Sequence, residues 1–341
     1  MAARYAEARW WTLEEGGGRI LCLLCPRGCR LAEGQTGYCR VRRRSGDRLL
    51  TLSYGHPTGF AVDPIEKKPL FHFLPGSRIL SFGTLGCTLD CDFCQNWRHS
   101  HPRHADSAEE AVPPGDVVAL ALRHRLPAIA YTYNEPTSFG EYLIDVAAMA
   151  RGRGLRNVAV TNGYIAPGAR REVFAHIDAA NVDLKAFSYD FYRQRAQGSL
   201  APVLETLEWI ARESGIWLEV TTLLIPGLND SADMVARECD WILERLGPDV
   251  PLHFTAFHPD FRLLDVPPTP PATIARAREI ARNRGLRFVY AGNVSDREAT
   301  ATACPGCGAT VIERDWHAAR VLGLAGSRCA ACGETIPGVF A

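Results

Sequence analysis

Eleven of the twelve cysteines in this 341-residue chain fall into three groups, and that grouping divides the chain. Cys22, Cys25, Cys29 and Cys39 lie first, Cys87, Cys91 and Cys94 follow, and Cys304, Cys307, Cys329 and Cys332 come last. Cysteines crowded at such spacings without an export signal read as metal ligands, because a reducing cytosol does not sustain disulfides. The opening MAARYAEARWWTLEEGGG has no apolar core of a signal peptide, and no apolar run nears the ~20 residues that span a bilayer. A cytoplasmic protein without a membrane partner is expected. Cys239 stands apart in the helical pattern SADMVARECDWILERL, where a small buried hydrophobe is the expected role.

From Arg78 onward short apolar runs such as RILSFGT, AIAYTY, NVAVTN and NVDLKAF alternate with amphipathic helical patterns. Parallel neighbours need crossover helices, so this alternation predicts an α/β fold. An incomplete TIM-like (β/α)6 barrel is expected, with a doubly wound open sheet as the alternative; both gather ligands at the C-terminal strand ends. The expected organisation is a Cys-rich metal-binding module over 1–76, the partial barrel over 77–298 and a zinc-ribbon-like segment over 299–341. In the first module RVRRRSGDRLLTLSYG reads as two short strands around a Ser-Gly-Asp turn, with Arg40, Arg42, Arg43 and Arg44 on a solvated face. Acidic and basic residues number 38 each, so no global charge draws the chain to nucleic acid.

The middle cysteines carry the sharpest chemistry. Cys87, Cys91 and Cys94 leave the end of a strand in one tight loop with no fourth cysteine nearby. Structural zinc takes four closed ligands, whereas three thiolates on a cubic 4Fe-4S cluster leave one iron without a protein ligand. The C-x3-C-x2-C spacing, with aromatic Phe93 before the last cysteine, resembles that of the radical S-adenosylmethionine (SAM) superfamily. There SAM chelates the free iron, and the reduced cluster cleaves it to a 5'-deoxyadenosyl radical. By the same resemblance Asn134 and Glu135 fall on the turn that meets the SAM ammonium, with Tyr133 and Asn134 standing where the superfamily often has two glycines. Thr161, Asn162 and Gly163 end the next strand and Asp183-Leu184-Lys185 the one after, as in the pyruvate formate-lyase activating enzyme. Lys185 is one of only three lysines among 38 basic residues, the others being Lys67 and Lys68. A compact ammonium is not interchangeable with a guanidinium, and the resemblance gives Lys185 to the SAM carboxylate. His258 resembles a SAM-contacting histidine of activating enzymes. His99, His101 and His104 read as solvent-facing loop imidazoles.

Cys304-Pro-Gly-Cys307-Gly and Cys329-Ala-Ala-Cys332-Gly form two knuckles suited to zinc, with a rubredoxin-like iron as the alternative. The first four cysteines suit zinc or an auxiliary iron–sulfur cluster; Pro26, Gly28 and Gly37 suggest closed turns and place zinc ahead.

The run from Asp63 to Gly76, DPIEKKPLFHFLPG, the sequence after Cys94 (Gln95-Asn96-Trp97), Tyr133-Asn134-Glu135-Pro136 and Ile336-Pro337-Gly338-Val339 together resemble the radical SAM enzyme family of the AmmeMemoRadiSam system. That resemblance implies SAM and 4Fe-4S chemistry, a one-electron donor such as flavodoxin or ferredoxin, and association with Memo-family and AMMECR-type proteins. It names no substrate. The competing class is a metal-stapled nucleic-acid or protein binding module without catalysis, which neutral charge and the SAM-type strand ends disfavour.

Overall fold

The computed structural model describes residues 5–16, 18–102, 105 and 110–340; His104 lies outside them. Among the described residues the main sheet has eight strands: β1 (Thr58–Pro64), β2 (Arg78–Gly83), β3 (Ala128–Tyr131), β4 (Arg156–Thr161), β5 (Ala179–Asp183), β6 (Trp217–Leu224), β7 (Leu252–Ala256) and β8 (Val289–Gly292). Each strand pairs with the next in chain order; β1 is antiparallel to β2 and every later pair is parallel. Helices α1 (Pro114–Arg123), α2 (Gly140–Gly152), α3 (Pro167–Val173), α4 (Ala201–Trp209), α5 (Ala232–Arg245) and α6 (Pro271–Arg284) carry the chain between successive parallel strands. Right-handed crossovers in a monotonic order lay their helices on one face of the sheet. A doubly wound sheet reverses its order at a switch point, so that alternative is excluded.

Side chains alternate between the two faces, as the period of a strand requires. Ile79, Ala128, Val158 and Ala179 pack on Ile65, Leu70 and Phe73, while their neighbours Leu80, Ile129, Ala159 and Ala180 join the core under the helices. The segment between β1 and β2 thus plugs the inner face at the strand starts and leaves the strand ends for a ligand. Helix α5 shows why the helices form where they do. Ser231 caps it by accepting from the Met234 N–H, and Val235, Cys239 and Ile242 recur on its buried face. Cys239 is a buried core residue, as expected.

The sheet reaches back into the stretch expected to belong to the N-terminal module. TGFAVDP carries Gly and Pro and little apolar alternation, yet it pairs along β2 as an edge strand, where Pro is tolerated. Upstream, Arg42–Ser45 and Arg48–Thr51 form the expected hairpin. Its arginines are not simply a solvated face, because Arg42 is buried with its guanidinium 2.6 Å from Glu141 Oε1 at the start of α2, and Arg44 is buried too.

The terminal segment forms a hairpin of β9 (Thr310–Asp315) and β10 (Ala318–Val321), then a tail that lies beside His72. Val339 N–H donates to the His72 carbonyl and Leu74 N–H to the Val339 carbonyl, both at 2.7 Å. Beneath them the buried Glu219 accepts from the backbone N–H groups of Phe71 (3.0 Å) and His72 (2.8 Å) and lies 2.6 Å from His253 Nε2. No helix among the described residues is long and apolar enough to cross a membrane.

Candidate active site

The cysteine loop leaves β2 through two glycines that closely packed backbone demands. A Cβ on Gly83 would sit 2.5 Å from the Thr132 carbonyl, and one on Gly86, already at φ +93°, would sit 2.5 Å from the Cys39 carbonyl. Beyond them Cys87, Cys91, Cys94 and Phe93 line a cavity of about 240 Å³ at the C-terminal ends of the strands, facing Asn134, Asn162, Asp183 and Lys185. Leu89 N–H and Asn162 Nδ2 lie 3.5 and 3.6 Å from Cys87 Sγ, and Ser100 Oγ lies 3.6 Å from Cys94 Sγ. Phe93 is buried against Phe191, ring centroids 5.6 Å apart, which fixes the loop.

Charge at the cavity centres on one pair. Lys185 Nζ lies 2.8 Å from Asp183 Oδ2. Burial works against its charge, but Asp183 and then Cys91 outweigh that and keep the ammonium more firmly protonated than an ordinary lysine. Burial pushes the Cys91 thiol up to about 12, opposed by the neighbouring Lys185 charge.

Glu135 lies behind this wall rather than in it. Fully buried, it accepts from Thr137 N–H (2.9 Å) and Thr161 Oγ1 (2.7 Å) through Oε1 and from Asn162 N–H (2.8 Å) through Oε2. Burial raises its pKa, and these bonds oppose that. Its geometry ties the end of β3 to the end of β4 and aims Asn162 at Cys87. Thr161 serves that tie, and Gly163, at φ +67°, turns the chain where a Cβ would press on Val182 at 3.1 Å. The neighbouring Asn134 faces the cavity, its Nδ2 donating to the Gly86 carbonyl while buried Oδ1 has no partner among the described residues. His258 is exposed and lines neither this cavity nor the larger space into which it opens. His101 is not solvent-facing: it stacks on Phe261 with centroids 5.1 Å apart and sits 3.3 Å from Asp90.

The cavity continues into a larger chamber of about 490 Å³, the two sharing Gln95, Asn96, Tyr133, Asn134, Asp183 and Thr255. Lys67 and Lys68 line the larger room, so every lysine of the chain lies on this connected space. Both ammoniums meet Asp63, at 2.9 and 2.8 Å; burial works against its charge, but they hold the carboxyl well below the usual carboxylate range. Tyr133 donates to the same carboxylate at 2.9 Å, and Lys68 Nζ sits 4.6 Å from the centre of its ring. Tyr133 takes φ +75°, the backbone region a glycine favours. Trp316 and His317, from the turn between β9 and β10, complete the far wall. Sequence reasoning missed the Asp63, Lys67 and Tyr133 cluster, although the tyrosine at a glycine position was its visible signal.

The three cysteine groups differ in spacing. The ligand atoms of Cys304, Cys307, Cys329 and Cys332 all lie within 4.8 Å of one another, with Sγ–Sγ distances of 3.6 Å between Cys304 and Cys332 and 3.7 Å between Cys307 and Cys329. A tetrahedral ion with metal–sulfur bonds of about 2.3 Å sets sulfurs roughly 3.8 Å apart, so this is a metal site for a single ion. Among the described residues no other group of three or more draws together so closely, neither Cys87, Cys91 and Cys94 nor the first four cysteines.

Residues 82–239 match the Radical SAM superfamily. An uncharacterized protein of Methanocaldococcus jannaschii is 41% identical over 320 residues, which cover 93% of this chain and 95% of that one. A radical SAM methyltransferase from Sphaerobacter thermophilus superposes with a TM-score of 0.52 at 15% identity, over 85% of this chain and 77% of that chain. Streptococcus suis SuiB bound to the precursor peptide SuiA gives 0.50 at 12%, over 67% and 51%. At such identities these two likenesses concern the fold. With its three-cysteine loop at the end of β2 and its sheet of sequential parallel strands, the chain carries a radical SAM domain over residues 82–239 and belongs to one family with the Methanocaldococcus jannaschii protein.

Proposed function

We propose that this chain is a radical SAM enzyme that cleaves SAM reductively at a 4Fe-4S cluster held by Cys87, Cys91 and Cys94, and abstracts a hydrogen atom from a protein or small-molecule substrate in the larger chamber. One observation carries the reading: three thiols, a bare carbonyl acceptor and an ammonium line a single cavity that opens into a second room. The donor set fits the group that the superfamily implies. Three thiolates leave one iron open, Asn134 Oδ1 lacks a donor that an amino group would supply, and Lys185 has donors left beyond its bond to Asp183. Bound there, cluster and SAM supply a 5'-deoxyadenosyl radical together with methionine.

The protein's own residues then do five things. Lys185 meets the cofactor carboxylate, with Asp183 fixing the direction of its Nζ. Asn134 accepts from the ammonium, while Glu135 holds Thr161 and Asn162 from behind and so keeps Asn162 at Cys87. Phe93 packs the loop against Phe191 and excludes water from one side. Lys67, Lys68 and Tyr133, gathered on Asp63, present two cations and a phenol to whatever occupies the larger chamber.

The sequential strand order supports the incomplete (β/α)6 barrel, and the close terminal thiols support zinc there. Placement in the AmmeMemoRadiSam system, with Memo-family and AMMECR-type partners and a flavodoxin or ferredoxin donor, rests on the motifs quoted above. Anaerobically reconstituted protein should convert SAM to 5'-deoxyadenosine on reduction, and C87A/C91A/C94A should abolish this. Cleavage by that variant at the wild-type rate would overturn the assignment.

A further inference from the structure

The first four cysteines lie in one nest, although among the described residues no three of their sulfurs draw together as the terminal four do. Cys22 N–H donates to the Cys29 carbonyl at 2.9 Å, which sets these residues side by side. Cys25 sits in the turn between them, where Gly28 N–H reaches the Cys25 carbonyl at 3.3 Å and Gly28 takes φ +54°. Tyr38 N–H donates to Cys29 Sγ at 3.4 Å and brings the adjacent Cys39 to the same place; a Cβ on Gly37 would lie 3.7 Å from that sulfur. An amide aimed at a sulfur in this way suits a thiolate, since a charged acceptor makes the stronger bond.

Two ligand classes remain, and spacing separates them. A single zinc ion would draw its thiolates to roughly 3.8 Å, as the terminal four are drawn. A cubane interposes irons and sulfides and keeps its thiolates further apart, and neither these four sulfurs nor those of Cys87, Cys91 and Cys94 draw together as closely as the terminal four. We propose that Cys22, Cys25, Cys29 and Cys39 hold a second 4Fe-4S cluster, one thiolate to each iron. A shell closed in this way has no open iron for a substrate, so the cluster is a one-electron carrier.

Its position gives the carrier a target. The Cys39 carbonyl packs on Gly86, the residue before Cys87, and Arg27 Nε donates to the Thr88 carbonyl at 2.6 Å inside the three-cysteine loop. One electron from a reduced low-potential iron–sulfur or flavin protein enters this cluster, and one leaves it for the neighbouring loop, with no bond made or broken. That relay step rests on the proposed function; the cluster itself does not.

The test uses the full chain with the radical site removed. Anaerobically reconstituted C87A/C91A/C94A should retain about four irons and four sulfides per chain beside the terminal metal. After reduction it should give a paramagnetic resonance signal that SAM does not shift. C25S/C39S, with the three-cysteine loop intact, should lower total iron from about eight to about four per chain and keep the SAM-sensitive signal. A triple variant that holds no iron and two zinc ions per chain would overturn the proposal, and would leave the assignment of Cys87, Cys91 and Cys94 standing.

Discussion

His72 Nδ1 lies 2.6 Å from the carbonyl oxygen of Pro337, 265 positions further along the chain. A carbonyl only accepts, so Nδ1 carries the proton and Nε2 accepts from the Tyr290 hydroxyl at 2.5 Å. Tyr290 in turn accepts from Thr302, and Thr302 from Arg314, both at 2.9 Å. A directed chain of hydrogen bonds therefore joins the FHF segment, β8 and the terminal tail. Two of the motifs quoted for the family resemblance, around His72 and Pro337, are the two sides of one contact.

Burial pushes His72 down from 6.5 to about 4, so it is neutral in the fold. Below pH 6.5 the unfolded chain takes a proton that the folded chain refuses. Stability contributed by this site is full above pH 6.5 and falls as pH drops toward 4, by at most about 1.4 kcal/mol per unit. His72→Gln keeps a donor but does not titrate, so it should be less stable at pH 7 and lose less on going to pH 5. Urea midpoints at the two pH values check this; an identical loss in both proteins would speak against it.

Glu238 should act in the opposite direction. Buried on α5 with only the Thr222 hydroxyl to favour its charge, its pKa is raised from 4.5 to about 8. The folded chain keeps a proton that the unfolded chain releases above pH 4.5, so this contribution is full below that value and is lost as pH rises through 8. Glu238→Gln should flatten the decline in stability between pH 6 and 8, by about 1 kcal/mol per unit. Denaturation midpoints that fall equally in both proteins would show that Glu238 does not titrate there.

Tyr133 holds a left-handed backbone without being glycine. Tyr133→Ala loses the bond to Asp63 and keeps the strain, whereas Tyr133→Gly loses the bond and removes the strain. The glycine variant should be the more stable of the two by about 1 kcal/mol, the reverse of their order at an ordinary position. Thermal denaturation of the pair decides it.

Loss of the Lys185 ammonium removes a charge-assisted bond in a confined site, worth about 1.5 to 3 kcal/mol, or roughly tenfold to hundredfold in affinity. Lys185→Ala should weaken SAM binding by that order and leave iron content unchanged. Lys185→Arg should not restore it, because a longer planar fork does not fit a site shaped around a point charge. Equilibrium binding across the three proteins is the measurement, and unchanged affinity in the alanine variant would remove Lys185 from the cofactor.

The terminal thiols make a separate case. C304S/C307S should release about one zinc per chain after aerobic purification and destabilise the β9–β10 hairpin. Metal analysis that finds iron and no zinc in the unaltered protein would correct the identity of the ion.

The sequence showed what repeats and what is scarce. Strand and helix periods announced the parallel sheet, cysteine spacing announced the loop at β2, and the rarity of lysine pointed to Lys185. Contacts between distant segments were hidden. Arg42 read as a solvated arginine because its partner Glu141 lies 99 residues away, and β1 read as part of the Cys-rich module because an edge strand needs little apolar alternation. Glu135 was placed at the ammonium from a motif, but only the fold shows it turned to Thr161 and Asn162, with Asn134 facing the cavity instead. His258 follows the expected strand end but is exposed and lines neither chamber. That the terminal four sulfurs draw together more closely than the first four had no sequence signal, since spacing along the chain does not fix spacing in space.

The wall formed by Trp316 and His317 has a consequence for biosynthesis. Every strand of the main sheet leaves the ribosome before this turn does, so a nascent chain can fold its sheet while the larger chamber still lacks one side. The enclosure around the chemistry is completed late in translation, after the scaffold that it closes.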